Sequence, residues 1–297
     1  MSMSHPRISQ ADFAPAVAVS VGSLLIDGSR TFLMGVLNCT PDSFADGGRY
    51  ERPEVAISHG EKLFADGADI LDVGGESTRP GSSPVTSRAE MDRVLPVIEA
   101  LRSRTDRPLS IDTTKAEVAA AACAAGADMV NDISGLTMDP ELASVVAEAG
   151  AALVIGHIRG NPRTMQDDPR YEDVLVEVGD ALEASVDRAI GAGVRRDGIL
   201  VDPGIGFGKS LEGNLELLRG LGTLRARLGL RLMVGASRKS FIGALTGAGV
   251  ADRLPGTIAA HVLARAAGAD MVRAHDVAEA RQAALVADAL LGGWGEG

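Results

Sequence analysis

Eight short runs of β-branched and aliphatic residues punctuate this chain, and nearly every one ends in polar side chains. They are TFLMGVLN (31–38), DILDVGGE (69–76), PLSIDTT (108–114), DMVNDIS (128–134), AALVIGHI (151–158), ILVDPGIG (199–206), RLMVGAS (231–237) and DMVRAHD (270–276). The stretches between them, such as RAEMDRVLPVIEALRS, PELASVVAEAG and LEGNLELLRGLGTLRARL, repeat apolar residues at three- and four-residue steps, which is helical spacing. Strands alternating with helices predict βαβ units and a parallel sheet. Three runs are entered through the same phrase, Gly-Ala-Asp, at 67–69, 126–128 and 268–270. Glycine just past a helix C-terminus stops the helix, so the phrase reads as a repeated helix stop and strand entry. Eight such units in 297 residues predict one α/β domain, a (β/α)8 TIM barrel.

The expected division is an N-terminal extension over 1–30, the barrel over 31–292 and a flexible tail over 293–297. Within the extension, VAVSVGSLLIDG (17–28) alternates like a short β-hairpin and could plug the N-terminal mouth of the barrel. Hydrophobic residues make up 45% of the chain but aromatics only 3%, the aliphatic diet of parallel strands buried on both faces. The net charge of −11 argues against nucleic acid as a general partner, since a phosphate backbone is held by neutralising cations. Any anion must therefore meet a local basic cluster. No run approaches the roughly 20 apolar residues of a membrane span, and the first residues lack a basic start and apolar run, so a cytoplasmic protein is expected. Cys39 and Cys123 are too few for a disulfide framework or a cysteine-rich zinc site.

In a barrel, function gathers at the C-terminal strand ends. Here those ends carry Asn38, Glu76 to Arg79, Asp112, Asn131 and Asp132, His157 and Arg159, Asp202, Ser237 to Lys239, and Arg273, His275 and Asp276. Structural readings compete for several of them. Asp132 and Asp276 stand where a carboxylate caps a helix, Glu76 could brace Arg79, and His157 alone reads more often as a hydrogen-bonded core histidine. His261 lies within a helical stretch and draws no functional reading. Asp112, Asn131 and Asp202 are harder to explain structurally: buried together, they call for a ligand with ring nitrogens and an exocyclic amine. The glycines of DPGIGFGK (202–209) would let a flat ring approach the backbone, although the run has neither Rossmann nor phosphate-loop spacing. Arg79, Lys239, Arg273 and His275 form the missing basic cluster, suited to a diphosphate. Asn38 adds a neutral oxygen for Mg2+, which takes few protein ligands when substrate phosphates and water complete its sphere.

The motifs MGVLNCTPDSFADGG (34–48), DVGGESTRPGS (72–82), SIDTTKAEVA (110–119), VNDISG (130–135), DPGIGFGKSLEGNLELL (202–218), GASRKSFIG (235–243) and RAHDV (273–277) together resemble the dihydropteroate synthase family. Those enzymes join a pterin methyl diphosphate to p-aminobenzoate. By resemblance, Asn38 would hold Mg2+. Asp112, Asn131, Asp202, Gly206 and Lys239 would hold the pterin, and Arg273, the Ala274 backbone and His275 the diphosphate. Thr78, Arg79 and Pro80 on one loop and Asp42, Phe44 and Asp46 on another would close over the site. Phe44, Thr78, Pro80, Phe207, Lys239 and Ser240 would frame the p-aminobenzoate pocket, where sulfonamides would compete. The resemblance also implies a homodimer. Departures are small: Cys39, Ala274, Ile158 and Asn161 stand where the family more often has other residues.

Three other readings stay open on the residues alone: a Schiff-base aldolase using Lys239, a pterin-dependent methyltransferase barrel, and a non-catalytic pterin-binding paralogue. If Lys239 and Arg273 are pure site residues, replacing either with alanine should leave stability within about 1 kcal/mol.

Overall fold

The structure is a computed structural model describing residues 16–40, 52–78, 81–167 and 169–292. Its strands are β1 (Val19–Val21), β2 (Leu24–Ile26), β3 (Phe32–Asn38), β4 (Ile70–Gly74), β5 (Leu109–Asp112), β6 (Met129–Asp132), β7 (Ala152–Gly156), β8 (Ile199–Asp202), β9 (Arg231–Val234) and β10 (Met271–Ala274). The helices are α1 (Arg52–Ala65), α2 (Ser87–Arg102), α3 (Ala116–Ala124), α4 (Leu142–Ala149), α5 (Val174–Gly191), α6 (Leu211–Arg219), α7 (Leu221–Leu228), α8 (Ser240–Thr246), α9 (Leu254–Ala266) and α10 (Val277–Leu290). Strands β3 to β10 close into a parallel barrel in sequence order, with β10 returning beside β3, while β1 and β2 form a separate antiparallel pair. Each of the eight aliphatic runs supplies one barrel strand.

Alternation along the strands divides the apolar residues into two clusters. Leu33, Leu37, Leu71, Val73, Ile111, Val130, Ile155 and Val272 pack outward with the helices. Phe32, Met34, Ile70, Met129, Val154, Leu200, Met233 and Met271 fill the interior, joined there by Val19, Val21 and Ile26 of the hairpin. The N-terminal hairpin therefore plugs the barrel with its own apolar side chains.

The Gly-Ala-Asp phrase does more than stop a helix. Gly67, Gly126 and Gly268 adopt φ of 107°, 112° and 110°, a conformation that favours glycine. The aspartate that follows accepts from a backbone N–H of the preceding barrel strand each time: Asp69 from Leu33 at 2.8 Å, Asp128 from Leu109 at 3.0 Å and Asp270 from Leu232 at 3.0 Å. Each is then neutralised by arginine, Arg30 and Arg281 on Asp69, Arg102 on Asp128, and Arg225 and Arg231 on Asp270. These ion pairs register neighbouring strands at the end of the barrel opposite the polar strand ends.

One expected helix is two. The stretch LEGNLELLRGLGTLRARL breaks at Gly220 between α6 and α7, where the Leu175 side chain occupies the space that a Cβ would need. Among the described residues, no helix is long and apolar enough to cross a membrane.

Candidate active site

Inside the barrel, one step of alternation separates an apolar floor from a polar mouth. Two residues beyond Ile70, Met129, Leu200 and Met271 on the same inward face come Asp72, Asn131, Asp202 and Arg273, and beyond Ser110 comes Asp112. Asp112, Asn131, Asp202, Lys239, Arg273 and His275 line one cavity, with Thr78 and Phe207 also in its wall. Residues from six different strand ends thus share one site.

Asp72 is the centre of its hydrogen bonding. This carboxylate is fully buried, and its Oδ2 accepts from Arg273 Nε at 2.6 Å and from Asn131 Nδ2 at 2.8 Å. Arg273 Nη2 reaches Asp112 Oδ2 at 2.7 Å. The guanidinium is thus a hinge between two carboxylates rather than an isolated anion binder. Opposite lies Asp202, whose Oδ1 accepts from the Gly204 N–H at 2.7 Å. The Lys239 stem crosses Gly206, and its Nζ stands 3.6 Å above the Phe207 ring centroid, a cation–π contact. His275 Nδ1 lies 2.9 Å from Ser237 Oγ.

Enclosure shifts these groups. Burial pushes Asp112 up to about 7, against the opposing Arg273 charge and with help from Asp72, Glu90 and Asp132. Burial likewise raises Asp202, with the Gly204 hydrogen bond, Lys239, Lys209 and Arg273 opposing. Lys239 is lowered to about 8 by burial and by Arg273, with Asp202 and Asp112 opposing. Burial works against the Arg273 charge too, yet Asp72 and Asp112 hold it firmly cationic. Asp112, Asp202 and Lys239, which ordinarily titrate far from neutrality, are drawn towards it, as at sites that handle charge.

The remaining expected site residues fall around this cavity unevenly. Asn38 ends β3 with its Oδ1 close to Gly74, which also adjoins Asp112. The Ala274 side chain is buried in the outer core. Ser240 is the exposed first residue of α8 and is not part of the cavity wall. Asp42, Phe44, Asp46, Arg79 and Pro80 lie outside the described residues.

The structure gives partners to the residues that had structural readings. Glu76 pairs with Lys115, which also holds the buried Glu90 at 2.5 Å, while Arg79, the partner expected for Glu76, lies outside the described residues. Asp132 accepts from the Ser134 and Leu136 N–H groups of a turn and caps no helix. Asp276 stands at the α10 N-cap without a side-chain cap bond and instead grips Arg238 through both oxygens, at 2.5 and 2.8 Å. His157 lines the cavity and is held by Lys209. His261, unremarkable in sequence, is buried with neither ring nitrogen hydrogen-bonded among the described residues.

Two residues of the site went unread in the sequence: Asp72 and Lys209. Asp72 had a signal, since it follows Ile70 by two on the inward face. Lys209 had none, because it sits in a loop and reaches its partner only through the fold.

A geometry of acids and amides facing cations across a barrel mouth suits a flat, nitrogen-rich ring bearing an anion. The pterin binding enzyme family matches residues 34–275. A dihydropteroate synthase of Synechocystis sp. (strain PCC 6803) is 49% identical over 282 residues, covering 94% of this chain and 97% of the relative. The dihydropteroate synthase of Xanthomonas albilineans, solved with 4-aminobenzoic acid, superposes with a TM-score of 0.86 at 42% identity, covering 93% of this chain and 99% of that one. The same enzyme in complex with 7,8-dihydropteroate gives 0.82 at 39% identity, with coverage of 93% and 99%. This chain belongs to the dihydropteroate synthase family of pterin binding enzymes.

Proposed function

We propose that the protein condenses 6-hydroxymethyl-7,8-dihydropterin diphosphate with p-aminobenzoate, giving 7,8-dihydropteroate and diphosphate. The observation that carries this reading is the convergence of Asp112, Asn131 and Asp202 with Lys239, Arg273 and His275 on one cavity. The acids and the amide accept and donate around the pterin ring. Arg273 and His275, with the N–H groups of the backbone between them, receive the diphosphate.

Breaking the bond between the methylene carbon and diphosphate leaves positive charge spread through the ring. Ionised Asp112 and Asp202 stabilise that charge as it develops, while cationic Arg273 and Lys239 stabilise the leaving anion. The aromatic amine then attacks the carbon, and no covalent bond to the protein is needed. Phe207 and Lys239 border the side from which it would approach. The loops carrying Asp42, Phe44 and Asp46, and Thr78, Arg79 and Pro80, would exclude competing water.

Magnesium fits the donor set. Among the described residues, no group of three or more His, Cys, Asp or Glu is placed to hold a metal. One amide oxygen, Asn38 Oδ1, stands near the cavity acids through Gly74. A cation that takes most of its ligands from diphosphate and water needs no more. When bound, the ion would add positive charge to the departing group.

The reading brings with it a cytoplasmic homodimer inhibited by sulfonamides, which share the aniline amine of p-aminobenzoate. Adjacent helices α9 and α10 leave Leu263, Leu285, Val286 and Leu290 exposed, an apolar face that a second copy would cover. The test is dihydropteroate formation from the two substrates, with and without Mg2+. Product that requires Mg2+ supports the reading, and absence of product under both conditions rejects it.

A further inference from the structure

The wall of the cavity between β7 and β8 rests on a buried lysine. Lys209 closes the glycine turn after β8 and is only 3% exposed. Its Nζ lies 2.8 Å from His157 Nδ1 and donates to the His157 carbonyl at 2.9 Å, holding side chain and backbone of one residue at once. Gly204 passes between them with φ of 70°. A methyl at Gly204 would run into the His157 carbonyl and come within 3.0 Å of Lys209 Nζ. Histidine, glycine and lysine are therefore packed as one unit that joins two strand ends.

We propose that Lys209 is a positioning residue for the pterin site: its amino group keeps His157 Nδ1 an acceptor, so that the ring proton sits on Nε2 and the cavity wall gains an N–H donor. An ammonium has three donors and no acceptor, and a neutral amine keeps a second N–H beyond the one given to the His157 carbonyl, so in either form Lys209 can donate to a lone pair on the ring nitrogen facing it. A neutral imidazole then carries its proton on the other nitrogen. Burial, with Lys239 and Arg159, lowers Lys209 well below the usual lysine range against the opposing charge of Asp202, so the geometry of its two contacts, rather than a fixed charge, carries the assignment. The ring itself stays neutral, since burial, Lys209 and Arg159 hold His157 down to about 3. Tyr171, the aromatic neighbour at 6.3 Å between ring centroids, donates its hydroxyl proton to the Gly208 carbonyl and does not compete for the imidazole. Asp112 and Asp202 can only accept when ionised, so a donor on this wall adds discrimination for an acceptor atom of the heterocycle. The pterin part of the inference rests on the function proposed above.

The test combines 15N NMR of histidine-labelled protein with substrate affinity. The wild-type His157 signal, identified by its loss in His157→Gln, should show a protonated Nε2 and a bare Nδ1, unchanged between about pH 5.5 and 8.5. Lys209→Met should release the ring to a mixture of tautomers. It should also weaken pterin diphosphate binding on the order of ten-fold, as for a lost buried hydrogen bond, while the KM for p-aminobenzoate stays within about two-fold. A general loss of structure would move both. If Lys209→Met does not fold, His157→Gln, which keeps a donor, should retain pterin affinity that His157→Phe loses. A proton on Nδ1 in the wild type, an unchanged tautomer in Lys209→Met, or equal affinity in the Gln and Phe variants overturns the proposal. Wild-type protein that binds no pterin overturns the function reading and the role of the Nε2 proton with it, and the tautomer measurement separates that outcome from a wrong Lys209–His157 pairing.

Discussion

Asp72 Oδ2 stands 2.6 Å from Nε of Arg273, a salt bridge between residues 201 positions apart that lies beneath the cavity. The same oxygen accepts from Asn131, so one buried carboxylate orients a group assigned to the diphosphate and another assigned to the ring. Its other oxygen has no hydrogen-bond partner among the described residues. Asp72→Ala should therefore lower kcat/KM for the pterin diphosphate by at least about ten-fold through misplacement of both partners. Its stability cost should be about 1–3 kcal/mol, since Arg273 keeps Asp112. Steady-state kinetics and urea denaturation check the pair of values.

Arg273→Ala should not behave as a plain site substitution. The sequence reading expects stability to change by no more than about 1 kcal/mol. Arg273 instead neutralises Asp72 and Asp112 together inside the barrel, and its removal leaves two neighbouring carboxylates without a counter-ion. The expected loss is about 3 kcal/mol or more, alongside loss of synthesis. Lys239→Ala, whose ammonium makes a cation–π contact with Phe207, should abolish most activity at a cost of about 1 kcal/mol. Thermal denaturation of the two variants side by side measures the difference.

The pH dependence follows from the same groups. In the proposed mechanism Asp112 is ionised to favour positive charge on the ring, and Lys239 is protonated to face the anion. With Asp112 raised to about 7 and Lys239 lowered to about 8, kcat/KM for the pterin diphosphate should rise through about 7 and fall above about 8, with limbs that belong to the coupled set. Asp112→Asn should remove the acid limb and lower the plateau.

Stability should respond to the same carboxyl. Asp112 binds its proton more tightly in the fold than in the unfolded chain, so its contribution is intact below the unfolded value of about 4 and is lost as pH rises towards about 7. The stability of Asp112→Asn relative to wild type should therefore increase across that window. Denaturation at a series of pH values would show it, and a constant difference would contradict it.

At the opposite end of the barrel, Asp270 is held by Arg225 and Arg231 and accepts from the Leu232 N–H. Asp270→Ala removes the carboxylate shared by two buried arginines and leaves them their backbone carbonyl contacts, Gly268 for Arg225 and Ala16 and Val17 for Arg231. The expected cost is about 3–5 kcal/mol, with KM values unchanged in the folded fraction, because this end registers strands and touches no ligand. Chemical denaturation with parallel kinetics distinguishes it from the cavity variants.

Much of this molecule is legible residue by residue. The eight aliphatic runs, the helical spacing between them and the Gly-Ala-Asp phrase specify a closed parallel barrel, because strand and helix periodicities are local properties of the chain. The polar endings mark the functional rim for the same reason, and their motifs name the family. What local pattern does not encode is which charge meets which. Arg273 reads as an anion binder until barrel closure sets β10 beside β3, one strand away from β4, and delivers it to Asp72. Lys209 reads as loop polarity until the turn after β8 folds against His157. Those partnerships depend on contacts across the ring, and burial makes them obligatory, since an ionised side chain removed from water must be paired.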